Sequence, residues 1–242
     1  MSEVAGTQEA AETHGHAHAD VSGGWLRPAV FGAMDGLVTN IALVAGVGGG
    51  GADRHTIILT GMAGLVAGAF SMALGEFASV DTQNDAVANE VAVEREEIRI
   101  HPRAEQAELA RMYEDMGLTP ATAEAMAREV HANPELALKV HVAQELGVDV
   151  DEQPSPWIAA VSSFVCFAVG GLIPLITFLL GSSSLPVALL VGAVGLFTVG
   201  ALTSRFTTRG WLFSGLRQLG FGALAAGATY LVGTLIGVGI TG

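Results

Sequence analysis

Five runs of about twenty mostly apolar residues constrain this chain more than any other feature. They are Pro28 to Ala52, Thr56 to Gly75, Trp157 to Gly181, Leu185 to Ser204 and Gln218 to Gly242. Hydrocarbon offers no partner to backbone N–H and C=O groups, so runs of this length must close their hydrogen bonds internally, as helices. The composition agrees, with 50% hydrophobic residues, 32 glycines and a mean hydropathy of +0.49. The expected fold class is an all-α membrane protein with five transmembrane helices. The joint VGGGGADR between the first two runs is too short for anything but a tight reversal, so these should form a helical hairpin. Arg27, Arg205, Arg209 and Arg217 flank the spans on one side and Arg54 on the other. By the positive-inside bias the N-terminus and the segment between spans two and three are cytosolic, and the C-terminus is outside.

The charges are unevenly placed. Of 24 acidic residues, 17 lie between Asp81 and Glu152, accompanied by only six basic ones, Arg95, Arg99, Arg103, Arg111, Arg128 and Lys139. A region of this sign repels nucleic acid and attracts cations. The chain therefore divides into a polar tail (residues 1–24), spans one and two (25–80), an acidic insert (81–155) and spans three to five (156–242). The tail has neither the basic start nor the apolar core of a signal peptide and reads as disordered. Its alternating His14, His16 and His18 could hold a soft divalent metal if it folded round one. Cys166, the single cysteine, excludes an internal disulfide and a Cys-x-x-Cys zinc site. The insert reads as helices. No breaker interrupts Asp81 to Ile100, which should continue directly from span two, and His101-Pro102, Thr119-Pro120 and Asn133-Pro134 each open another. Within the spans, Gly32 and Gly36, Gly64 and Gly68, and Gly233 and Gly237 form GxxxG pairs suited to close packing in lipid. Pro174 should kink the third span.

One residue breaks the apolar pattern. Asp35 sits inside FGAMDGLVTNIALVA, where an unpaired charge costs about 2.5 to 3.5 kcal/mol on insertion scales, so it needs a partner or a pathway. In the insert, Glu90, Glu94, Glu97 and His101 share one helix face, Glu105, Glu108 and Met112 share another, and His141 and Glu145 lie one turn apart. Spacing leaves two readings open, a solvated acidic face or a cation site. The Glu-x-x-His pairs of a ferritin-like di-iron site are absent from the insert.

Several separated motifs agree in order and spacing with a known family. FGAMDGLVTNIALVAGV, GAFSMALGEFASVDTQND, EVAVEREEI, QELG and GGLIPL together resemble the vacuolar iron transporter family, over Leu26 to the C-terminus. The resemblance implies a homodimer whose path runs between the two copies of the first span. It also implies a cytosolic metal-binding domain between spans two and three, and exchange of Fe2+, often also Mn2+, for protons. By the same resemblance Asp35 is the intramembrane carboxylate and Met72 the pathway methionine. Glu94, Glu97, Glu105 and Glu108, spaced 3, 8 and 3, are metal-binding glutamates, as is Glu145 of the last insert helix. Glu76, one turn beyond Met72, could receive ions or snorkel to the interface. There are departures. His141-Val142 replaces a Met-Met pair, which makes His141 a candidate ligand, and Gly24 and Gly64 stand where some members carry glutamate.

The expectation is a divalent metal transporter that exports cytosolic metal against protons, with Fe2+ as substrate, Mn2+, Co2+ or Zn2+ as further candidates, and no prosthetic group. A metal sensor or store without flux is the alternative. A membrane enzyme is disfavoured, since all seven histidines (14, 16, 18, 55, 101, 131 and 141) lie outside the spans and no HExxH or Ser-His-Asp set occurs within them. The single lysine and the lack of an organelle signal point to a prokaryotic plasma membrane; a eukaryotic source would point to the vacuole.

Overall fold

The computed structural model describes residues 24–150 and 153–241, with side chains to residue 237. The HGHAH tail lies outside the described residues. Eight α-helices follow one another: α1 (Leu26–Gly49), α2 (Arg54–Ile100), α3 (Pro102–Asp115), α4 (Pro120–His131), α5 (Pro134–Glu145), α6 (Pro156–Leu179), α7 (Leu185–Thr203) and α8 (Trp211–Thr241), with no strand among the described residues. Five of them, α1, α2, α6, α7 and α8, are long and apolar enough to cross a membrane.

Local chemistry marks the start of several helices. Asp53 accepts from the Thr56 N–H at 2.9 Å and opens α2. Asn133 accepts from the Glu135 and Leu136 N–H groups and opens α5. Proline stands in the first turn of α3, α4, α5, α6 and α7, where its missing N–H costs nothing. Gly51, with φ at 84°, supplies the left-handed turn that folds α1 back on α2. The unbroken run after span two does continue the helix, so α2 has 47 residues. At about 1.5 Å per residue it is roughly 70 Å long, more than twice the hydrocarbon thickness. Its distal half stands clear of the bundle. Most span ends shift by one to three residues, and the largest difference is at α8, which begins at Trp211 rather than Gln218 and so places Arg217 within the helix instead of the preceding loop. Hydropathy locates the part of a helix that suits lipid, and WLFSGLR carries no signal that would stop the helix beyond it.

α1 is the centre of the bundle, packed on α2, α6, α7 and α8. Leu37, Ile41, Val44 and Ala45 are buried there, and the fully buried Asn40 donates to the Gly171 carbonyl at 2.7 Å. That carbonyl lies in the turn before Pro174, where the proline interrupts backbone bonding in an otherwise continuous α6. The outward stripes, such as Val161, Val165 and Val169 on α6 and Leu224, Leu231 and Leu235 on α8, are exposed as lipid contact requires. Small residues set the helix spacing. A Cβ at Gly36 would run into the backbone of Phe167 and Gly171. Gly36→Ala should therefore force α1 from α6 and cost about 1–3 kcal/mol, a loss that thermal unfolding in detergent would register.

α4 packs on α3 and α5, and α3 and α5 pack on the distal half of α2. Val91 and Ile98 of α2 meet Ala137, Leu138 and Val142 of α5, while Leu109, Ala110 and Tyr113 of α3 meet Ala123 and Ala127 of α4. Asn84 of α2 donates to the Pro154 carbonyl at 3.0 Å, tying the returning chain to the same helix.

Candidate functional site

The packing of α2, α3 and α5 brings the predicted metal residues together. The last turns of α2 present Glu94, the reversal at His101-Pro102 returns Glu105 on α3, and α5 supplies His141 and Glu145. Glu94, Glu105 and His141 each place a ligand atom within 4.8 Å of the others. His141 is fully buried, and its Nδ1 lies 2.9 Å from Glu145 Oε1, 3.2 Å from Glu94 Oε1 and 3.9 Å from Glu105 Oε2. Nδ1 has at most one proton, and the well-directed contact is with Glu145. Glu94 Oε1 is thus buried without a hydrogen-bond partner. A carboxylate oxygen in that position wants a cation.

The burial ranks the carboxylates. Glu105, Glu94 and Glu145 side chains are 11%, 14% and 30% exposed, against 47% for Glu97. Glu97 contacts His101 at 2.9 Å, and Glu108 is exposed. Both still act on the cluster. Burial pushes the Glu94 carboxyl up to about 7, helped by the charges of Glu145, Glu105 and Glu108 and opposed by His141. Glu105 is pushed up by burial and then by Glu108, with Glu145 and Glu97 adding to the effect and His141 opposing it. Burial and the neighbouring His141 push His131 down.

A stability prediction follows from Glu94. Its folded value of about 7 lies above the ordinary 4.5, so its contribution is fully present below pH 4.5 and is lost as pH rises through about 7. Metal-free protein should unfold more readily at pH 8 than at pH 5, Mn2+ should recover the difference, and Glu94→Gln should flatten it. Differential scanning fluorimetry with and without Mn2+ measures all three.

Asp35, Met72 and Glu76 meet in a second place. They line one groove of about 370 Å³ between α1 and α2, together with Arg27, Thr39 and Ser71. Asp35 accepts a long hydrogen bond from Thr39 Oγ1 at 3.5 Å. Glu76 is buried and accepts from Arg27 Nη2 at 2.9 Å, so it neither snorkels nor stands free. Arg27 and Glu76 stand 49 residues apart, beyond any spacing rule. His131 belongs to no spacing pattern with the cluster either, and its Nε2 lies 3.0 Å from His141 Nε2.

The model of the VIT family matches residues 26–234. The chain belongs to the VIT family. A vacuolar iron transporter of Acanthamoeba castellanii is 32% identical over 97% of this chain and 87% of its own length. Vacuolar iron transporter homolog 1 of Oryza sativa subsp. japonica is 35% identical over 88% and 75%. Vacuolar iron transporter 1 of Arabidopsis thaliana is 29% identical over 87% and 86%. These VIT family members are named as transporters, not enzymes. The match takes in both the groove and the carboxylate cluster of this VIT family chain.

Proposed function

We propose that this VIT family protein is a homodimeric carrier that moves Fe2+, and with it Mn2+, out of the cytosol in exchange for protons. The observation that carries the proposal is the single helix α2. It holds Glu94 in the carboxylate cluster and Met72 and Glu76 in the groove that Asp35 lines. The names of the relatives supply iron as the substrate. Residues 81–155 form the capture unit on the cytosolic side, where Glu94, Glu97, Glu105, Glu108, His141 and Glu145 gather the ion. Carboxylates with one imidazole favour Mn2+, Fe2+ and Zn2+ over Mg2+ and Ca2+.

The ion then passes Glu76, which must release Arg27 to receive it, and reaches Asp35 and Met72. A mixed oxygen and thioether pair suits Fe2+ better than a hard cation. Metal and proton compete for the Asp35 carboxylate, so a proton arriving from the far side discharges the metal; that competition is sufficient for antiport. The groove is open along one side, and a second copy facing it would double the donor set and seal it from lipid. The proposed setting is a prokaryotic plasma membrane with the insert inside, a reading that the lysine-poor composition and the arginine bias support.

Proteoliposomes with an imposed pH gradient test this. Fe2+ flux should follow the gradient and be competed by Mn2+, Co2+ or Zn2+ in order of affinity. Metal binding without flux would overturn the carrier in favour of a sensor or store.

A further inference from the structure

Two imidazoles meet at the turn between α4 and α5. His131 is the last residue of α4 and His141 lies two turns into α5. Their Nε2 atoms are 3.0 Å apart, with the rings at 84° and centroids 5.2 Å apart. Two neutral rings at this distance share one proton, so one nitrogen donates and the other accepts. The choice is coupled to the far side of His141, where Nδ1 faces Glu145, Glu94 and Glu105. With its proton on Nδ1, His141 serves Glu145 and has no lone pair for a cation. With its proton on Nε2, donated to His131, it presents a lone pair from Nδ1 to the space between three carboxylates.

Resting on the reading of His141 as a metal ligand, we propose that His131 is a positioning residue. By accepting the Nε2–H of His141 it holds the tautomer that coordinates a divalent transition metal through Nδ1. His141 is fully buried, so without this acceptor its Nε2–H would be a buried donor with nothing to bond. Ligating histidines generally depend on such a partner for their other nitrogen. The change of tautomer balances. The proton between the rings passes from His131 to His141 Nε2, the Nδ1 proton of His141 leaves to solvent, and His131 takes a proton on its own Nδ1. Both rings stay neutral. His131 also lines a surface pocket of about 390 Å³ with Arg95, Arg99 and Pro134, which gives it access to water that His141 lacks. Nitrogen ligation is what separates Zn2+, Fe2+ and Mn2+ from Ca2+ at a carboxylate site, so His131 controls selectivity from outside the coordination sphere.

The test uses the full chain in nanodiscs with Zn2+ as probe. 15N-histidine solid-state NMR should show His141 metallated at Nδ1 and protonated at Nε2 in the wild type. His131→Leu should lose this signature, weaken Zn2+ binding about tenfold to a hundredfold and bring it closer to Ca2+ binding. His131→Gln, whose amide oxygen can accept the same bond, should restore both. Wild-type Zn2+ affinity and an unchanged Nδ1-metallated spectrum in His131→Leu would overturn the role of His131 while leaving His141 a ligand. Wild-type protein that binds Zn2+ without nitrogen, or through Nε2, would overturn both. Should His131→Leu not fold, the wild-type spectrum still tests the proposal, since an unprotonated His141 Nε2 in the metal-bound protein would overturn the role of His131.

Discussion

Asp35→Asn is expected to abolish gradient-driven Fe2+ uptake, lowering the initial rate at least a hundredfold, or about 2.7 kcal/mol in barrier height. The amide has the shape of the carboxyl and can keep the bond from Thr39, so packing around α1 should survive. The charge and the proton site do not survive. An apolar helix tolerates a carboxylate at such cost only where it has a task, and the groove of about 370 Å³ gives that task a location. Carboxylate chemistry rather than shape is at stake, so Asp35→Glu should retain part of the flux. Circular dichroism and metal binding at the distal cluster should remain as in the wild type, since Glu94 lies 59 residues along the chain and far down α2. Uptake by Asp35→Asn at the wild-type rate would remove Asp35 from the pathway.

The second large effect separates residues that spacing treats as equals. Glu94→Ala with Glu105→Ala should weaken Mn2+ binding to the full chain by about a hundredfold, roughly 2.8 kcal/mol, in isothermal titration calorimetry. Glu97→Ala with Glu108→Ala should cost about tenfold or less. The first pair is the less exposed and contains the buried oxygen with no hydrogen-bond partner, whereas Glu97 is half-exposed with His101 as its contact and Glu108 is exposed. The first double variant should also melt higher than wild type without metal, because it removes carboxyls held in an unfavourable setting. Equal losses from the two pairs would return the site to a diffuse acidic face.

Much of the architecture was legible because it follows from local rules. Span lengths come from hydropathy, the continuity of α2 from the absence of a turn signal between Ser71 and Ile100, and the starts of α3, α4 and α5 from His101-Pro102, Thr119-Pro120 and Asn133-Pro134. The glutamate and histidine positions of the cluster were legible through spacing and family resemblance. Their division into an inner and an outer group was not. Helical periodicity puts Glu94 and Glu97 on one face, and only the packing of α3 and α5 turns one toward His141 and leaves the other with His101. Arg27 with Glu76 and His131 with His141 were equally hidden, since each pair joins different helices.

By itself, then, the sequence determined the all-α class and the five helices long and apolar enough to cross a membrane. A backbone in hydrocarbon has no choice but to be helical, and a carboxylate there demands a role. Tertiary structure alone decided which atoms face each other: Glu94 with an unpaired oxygen, Glu76 held by Arg27, and His141 between a carboxylate cluster and a second imidazole. Those contacts depend on how far each helix is rotated and where it crosses its neighbour. Side-chain packing across the whole bundle sets both, and no local spacing records either.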